Sequence, residues 1–287
     1  MIAVLKHELR NYFHSFTAYV FGAFLLAIVG IGAMLYNLQA AVSNFEYVLS
    51  FGTIIFVVIV PILTMRVIAE ERKQKTDQLL YSLPISTVKV ILGKYLALLV
   101  IYLIPLAIIS IYPLIFAQFG DVYLPTSYGS MVAIFIMGAA LVALGVFISS
   151  LTDNQGLAAG IGIAVILFNY YSVSLSEYVS STAFGSAIAL SVLTLLLGVI
   201  IRYLTRNEQL ASGISLILLA VITATYFLNP TAFEGLLPNI MRQLSLFDRF
   251  NTFVSGVFDL TAIFYYVSVI VFFLFLSVQS LEKRRYN

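Results

Sequence analysis

Gly93-Lys94 is the dipeptide in this sequence nearest to a nucleotide-binding fragment. A phosphate-binding loop uses such a pair, because the lysine reaches the outer phosphates. The fit fails here: Tyr95 follows where Ser or Thr is required, and the earlier Gly is missing at the needed spacing. Other chemistry is scarcer still. The only histidines are His7 and His14, both near the N-terminus, and there is no cysteine. Disulfides and thiolate metal sites are therefore excluded, and an internal metal centre is disfavoured. Neither GxSxG nor HExxH occurs. With no His, Cys or carboxylate cluster to work with, no catalytic site is expected on this chain.

The remaining candidates concentrate in segment 69–87, AEERKQKTDQLLYSLPIST. Glu70 and Glu71 fall in its first turn, where a helix N-terminus favours negative charge. Thr76, Leu79, Leu80 and Leu83 follow at helical spacing, and Pro84 ends the helix. A short amphipathic helix needs an apolar surface to cover. Two readings follow from the residues alone: it packs on the protein's own spans, or it docks into a partner.

The elements that position this segment are membrane spans. Hydrophobic residues make up 61% of the 287 residues and charged residues 10%, against about 25% charged in soluble domains. Mean hydropathy is +1.03. Apolar runs of span length recur along the chain, so the expected fold is all-α and polytopic. Eight spans are expected: Thr17–Leu38, Tyr47–Ile68, Val88–Phe116, Tyr128–Leu151, Gly156–Val173, Ala183–Tyr203, Leu210–Leu228 and Ala262–Leu281. The first reads as a retained span, since its apolar core is too long for a signal peptide and no clear cleavage site follows. Every Lys and Arg except Arg242 and Arg249 then falls on one side, while the acids split almost evenly. Positive charge resists translocation, so that side, with both termini and segment 69–87, is the cytoplasm.

Two further segments lie outside the spans. In segment 1–16, Ile2, Leu5, Leu9, Tyr12, Phe13 and Phe16 share one arc of a helical wheel, and Lys6, His7, Arg10, Asn11 and His14 lie off it. This is the pattern of a helix lying in the interface, its basic groups towards lipid phosphates. In the external segment 229–261, Leu236–Val257 repeats the amphipathic pattern and would lie in the outer interface or re-enter as a plug. No acid or base falls near the middle of a span, which counts against an ion-coupled carrier. Arg66, Lys94 and Arg202 sit near cytoplasmic ends, where long side chains are expected to snorkel. Pro61, Pro105 and Pro113 are candidate kinks, and small residues such as Gly138, Ala139 and Ala140 allow close helix packing.

Two stretches, Pro61 to Ala97 and Leu246 to the C-terminus, resemble permease subunits of ABC-2 type ABC transporters. The likeness is to the branch with gliding-motility-associated and nitrous-oxide-reductase-maturation permeases. That branch carries E-x-x-x-G-T-x-E-x-L-x-x-x-P in its first cytoplasmic loop, then Gly-Lys at the third span. Glu71, Thr76, Leu80, Pro84, Gly93 and Lys94 match; Lys75 stands in place of the Gly and Gln78 in place of the second Glu. Asp153 and Asn154 resemble the second cytoplasmic loop. The family commonly has six spans, so Ala183–Leu228 would be an added pair. The resemblance implies that segment 1–16, with Leu5, Lys6, Leu9, Arg10 and Phe13, is the family's interfacial connecting helix. It implies that Glu70, Glu71, Thr76, Leu79, Leu80, Leu83, Pro84, Asp153 and Asn154 contact an ATPase subunit. Two ATPases binding ATP and Mg, and a second permease copy or related permease, would complete the machine. The expected place is a bacterial inner membrane, with no nucleic acid involved.

The function expected is therefore the membrane path of an ABC transporter, most simply an exporter, with ATP hydrolysis on a separate chain. A mechanical or signalling component driven by an ATPase fits the apolar spans equally well. A secondary carrier would need midplane charges or paired broken helices, and neither stands out.

Overall fold

The computed structural model describes residues 1–76, 85–205 and 208–286, and among these every regular element is helical. In chain order they are α1 (Ile2–His14), α2 (Phe16–Ala33) with a π-helical extension over Met34–Gln39, α3 (Glu46–Gly52), a 3-10 turn at Thr53–Ile55, and α4 (Phe56–Thr64). Then come α5 (Ala69–Gln74), α6 (Thr87–Ile109), α7 (Tyr112–Phe116), α8 (Leu124–Leu151), α9 (Gln155–Tyr178), α10 (Ala183–Thr205) and α11 (Glu208–Leu228). A 3-10 turn at Pro230–Phe233, α12 (Leu236–Leu244), α13 (Leu246–Val254) and α14 (Leu260–Tyr286) complete the chain.

Six stretches are long and apolar enough to cross a membrane: Phe16–Gln39, Glu46–Gln74, Thr87–Phe116, Leu124–Leu151, Gln155–Tyr178 and Leu260–Arg284. Two shorter apolar stretches, Ala183–Val199 and Ser212–Leu228, form the additional pair. The protein is thus a polytopic α-helical membrane protein with a six-helix set and an extra apolar pair. The second stretch is not one smooth helix, since the 3-10 turn divides it and Pro61 lies within α4. Pro61 has no N–H to give to Val57 O, and Thr64 Oγ1 donates to Val60 O at 2.9 Å within the same turn.

The chain divides into two compact units, 1–170 with 246–287, and 171–245. In the first, α8 is the hub: Ala133 through Leu144 are almost continuously buried, and α4, α6, α13 and α14 pack around it. Its small residues explain the close approach. A Cβ on Gly138 would lie 2.5 Å from the Tyr102 ring, and one on Gly145 2.2 Å from Thr64 Oγ1. Tyr102 is fully buried, stacks on Phe135, meets Phe21 and Phe56 edge-on, and donates to Ile134 O at 2.7 Å. The α13 helix is held by its apolar face, Leu246, Phe247, Phe250 and Phe253, all buried. Tyr266 OH donates to its first carbonyl, at Leu246, and Ser130 Oγ to Phe253 O.

In the second unit, α10 and α11 pair along their lengths and Arg202 bridges Glu208 between them. The amphipathic run expected as one element over Leu236–Val257 breaks at Ser245, whose extended backbone ends α12 before α13 starts. Arg242 Nε donates to Ser176 Oγ at 3.1 Å and fixes α12 to the end of α9.

Candidate functional site

The root of segment 69–87 is built with unusual care for a surface connection. Ser149, fully buried near the end of α8, accepts from the backbone N–H groups of Ile68 and Ala69 at 3.1 Å each and donates to Met65 O. One hydroxyl thereby closes the turn between α4 and α5. Helix α5 then ends in a Schellman motif: Thr76 N–H reaches Glu71 O at 3.0 Å, and Lys75 N–H reaches Arg72 O at 3.1 Å. That motif needs a left-handed residue at Lys75, and Lys75 adopts it, with φ +58°. This is the position where the related loop pattern carries Gly. The turn survives the substitution, at the steric cost an L side chain meets there.

Glu70 and Glu71 point to different partners. Glu70 takes both nitrogens of the Arg66 fork, Oε2 at 2.7 Å from Nε and Oε1 at 3.1 Å from Nη2. Arg66 also donates to Thr17 Oγ1 at 3.0 Å, tying α2 to the same corner. Glu71 meets Lys94 instead. Lys94 Nζ donates to Glu71 Oε1 at 2.6 Å, to Glu8 Oε1 at 2.7 Å and to Val67 O at 3.1 Å. All three ammonium protons are used, and the side chain is only 1% exposed. Lys94 therefore does not snorkel as its place at the end of a span suggested. Two carboxylates and a carbonyl supply the counter-charge that would otherwise draw it to water.

Glu8 brings α1 into the cluster. The helix has three faces rather than two. Val4, Glu8 and Tyr12 turn inward, with Val4 seated on Gly93, where a Cβ would stand 3.0 Å from its side chain. Ile2 and Phe13 remain exposed apolar groups, and Lys6, His7, Arg10 and His14 are exposed polar ones; Phe16, expected on the same arc, lies past the extended Ser15 at the start of α2 and is exposed. Leu5 and Leu9 lie half-buried between. Tyr12, counted from sequence in the apolar arc, is buried and donates to Leu63 O at 3.2 Å. Burial first, then the Glu8 carboxylate, pushes its phenol above the ordinary tyrosine range, so it stays a donor. Beside these residues a cleft of about 500 Å³ opens, lined by His7, Asn11, Glu70, Glu71, Gln74 and Thr76 among others.

Asp153 and Asn154 lie at the same end of the first unit but serve other bonds. Asn154 Oδ1 caps α9, accepting from Gly156 N–H at 2.9 Å and Leu157 N–H at 3.3 Å. Asp153 pairs with Arg284 at 2.8 Å, and Ser280 Oγ donates to Ser150 O, so α14 is fastened to this turn. Leu79, Leu80, Leu83 and Pro84 lie outside the described residues. Among the described residues no group of His, Asp or Glu is arranged to hold a metal. Glu8 and the pairing of Glu71 with Lys94 escaped the sequence reading. The available signal was Glu8 itself, an acid at helical spacing between Val4 and Tyr12.

Residues 31–176 match the family described as ABC-2 family transporter protein. The chain belongs to that family. No curated protein and no solved structure matched. The matched region of this ABC-2 protein contains the Glu71–Lys94 pair, Ser149, Asp153 and Asn154, and α1 lies ahead of it.

Proposed function

We propose that this chain is the permease subunit of an ABC exporter, and that segment 69–87 is the element through which a separate ATPase drives it. Family membership supports a transporter membrane subunit. The observation that carries the coupling assignment is the fixed root of the segment. A surface connection that merely links two spans does not need Ser149, a Schellman turn and a buried Lys94 to hold its base, whereas an element that receives force does. The pattern Glu71, Thr76, Gly93 and Lys94 likens the chain to the gliding-motility and nitrous-oxide-reductase-maturation permeases. The charge distribution supports an inner-membrane protein with both termini in the cytoplasm. ATP and Mg belong to the partner, two copies of which would serve a pair of permeases.

The test is purification of the tagged chain in mild detergent, followed by mass spectrometry and an ATPase assay of what elutes. The expected result is a stoichiometric P-loop subunit whose hydrolysis changes when the permease is present. A chain that elutes alone from several mild detergents, with no ATPase lost on solubilisation, overturns the assignment.

A further inference from the structure

Lys94 joins three elements that are distant in sequence. Glu8 comes from α1, Glu71 from α5 and Lys94 from α6, 86 and 23 residues apart from Lys94 respectively. Other contacts of α1 run to α2, α4 and α6: Tyr19 OH donates to Phe13 O, Tyr12 OH reaches Leu63 O, and Val4 packs on Gly93. Each of Glu8 and Glu71 gives one carboxylate oxygen to the same ammonium, whose side chain is almost wholly buried at the edge of the cleft. A carboxylate left there without its ammonium would be costly.

We propose that Lys94 is a positioning residue that binds α1 to the root of segment 69–87, so that the two shift as one body when the segment is displaced. This rests on the reading that an ATPase displaces the segment. The surface helix is then moved by the ATPase without having to touch it. Glu8 and Glu71 are the two grips, and Lys94, itself anchored on α6 and Val67 O, is the shared pin.

The chain has no cysteine, so paired spin labels can be placed without a background. One pair is Arg10→Cys with Lys73→Cys, both exposed, on α1 and α5. The other is Lys73→Cys with Tyr123→Cys, the latter exposed next to the start of α8, far along the bundle from Ser149. Distances are measured by pulsed electron resonance on the purified permease–ATPase complex, nucleotide-free and after trapping with ATP and vanadate. The expected result is a nucleotide-dependent shift in the 73–123 distance with the 10–73 distance unchanged. In the charge-free variant Glu8→Gln/Glu71→Gln/Lys94→Met, assembled with the same ATPase, the 10–73 distance should shift or broaden on trapping. A 10–73 distance that shifts in the otherwise native chain overturns the proposal, as does one that stays fixed in the charge-free variant. If the 73–123 distance ignores nucleotide in a complex that hydrolyses ATP, the displacement itself is absent, and the coupling reading falls with the proposal.

Discussion

Replacing Lys94 by Met tests whether the cluster is the buried ion triad that its geometry describes. The ammonium lies 2.7 Å from Glu8 and 2.6 Å from Glu71, and the side chains of Lys94, Glu8 and Glu71 are 1%, 9% and 24% exposed. Deleting it alone leaves two carboxylates side by side with no counter-charge and strands Val67 O. Removing one member of a buried pair costs about 3–5 kcal/mol, and here the removed member serves two acids. Removing the charge from all three positions is a different experiment. Glu8→Gln/Glu71→Gln/Lys94→Met removes every ion, so no carboxylate is left buried without a counter-charge, and the large penalty of the single variant does not arise. The chain has no tryptophan, so the assay is the folded fraction of a fluorescent fusion by size-exclusion chromatography after heating. Lys94→Met should melt far below the native chain, and the triple variant should recover most of the loss. If Lys94→Met melts with the native chain, the ammonium is not carrying buried carboxylates. If the triple variant is as damaged as the single one, the loss comes from packing and the electrostatic account is refuted.

Four other outcomes are expected. Gly138→Ala should cost about 1–3 kcal/mol by overpacking, since its Cβ would meet the clamped Tyr102 ring at 2.5 Å. Gly160→Ala, with nothing within 4 Å, should melt with the native chain, and equal melting of the two would show the contact to be soft. Lys75→Gly should stabilise α5 by about 1 kcal/mol by relieving a left-handed side chain, and a lower melting point would mean that the lysine earns its place by another contact. Leu79→Asp with Leu80→Asp should abolish ATPase coupling without loss of membrane insertion; unchanged coupling would remove segment 69–87 from the interface. A reporter fused after Asn287 should read as cytoplasmic, and a signal from the opposite side would break the topology.

The helices were legible because each rests on a local signal. Span-length apolar runs place the six-helix set, and the breaks at Pro61 and Ser245 are where local backbone rules take over from hydropathy. The Gly-Thr position of the loop pattern was legible too. Lys75 looked like a departure from it, yet Thr76 still closes the Schellman turn, because the backbone geometry is demanded by Glu71 O and Arg72 O rather than by the side chain. The Lys94 cluster was not legible. Its members stand at positions 8, 71 and 94, and no periodicity relates them. The helical wheel for α1 sorted residues into apolar and polar, and a buried acid belongs to neither set. A lysine at a span end also has a default reading, snorkelling, that is correct whenever no acid comes within reach.

Lys94 enters the charge count and the folded structure in different states. The positive-inside rule acts on the chain as it inserts, when Lys94 is an unpaired cation and Asp or Glu contribute little. In the folded protein the same ammonium is matched by Glu8 and Glu71, Arg66 by Glu70, and Arg284 by Asp153. On the proposed topology, the cations that hold this end in the cytoplasm also fasten it together. Exposed Lys6, Arg10, Lys73, Lys75 and Lys89 make no ion pair among the described residues, which on the proposed function leaves them to meet anionic headgroups or a partner surface. The division follows burial: α1 presents its acid inward to Lys94 and its bases outward, which a helix serving only as a lipid anchor has no reason to do.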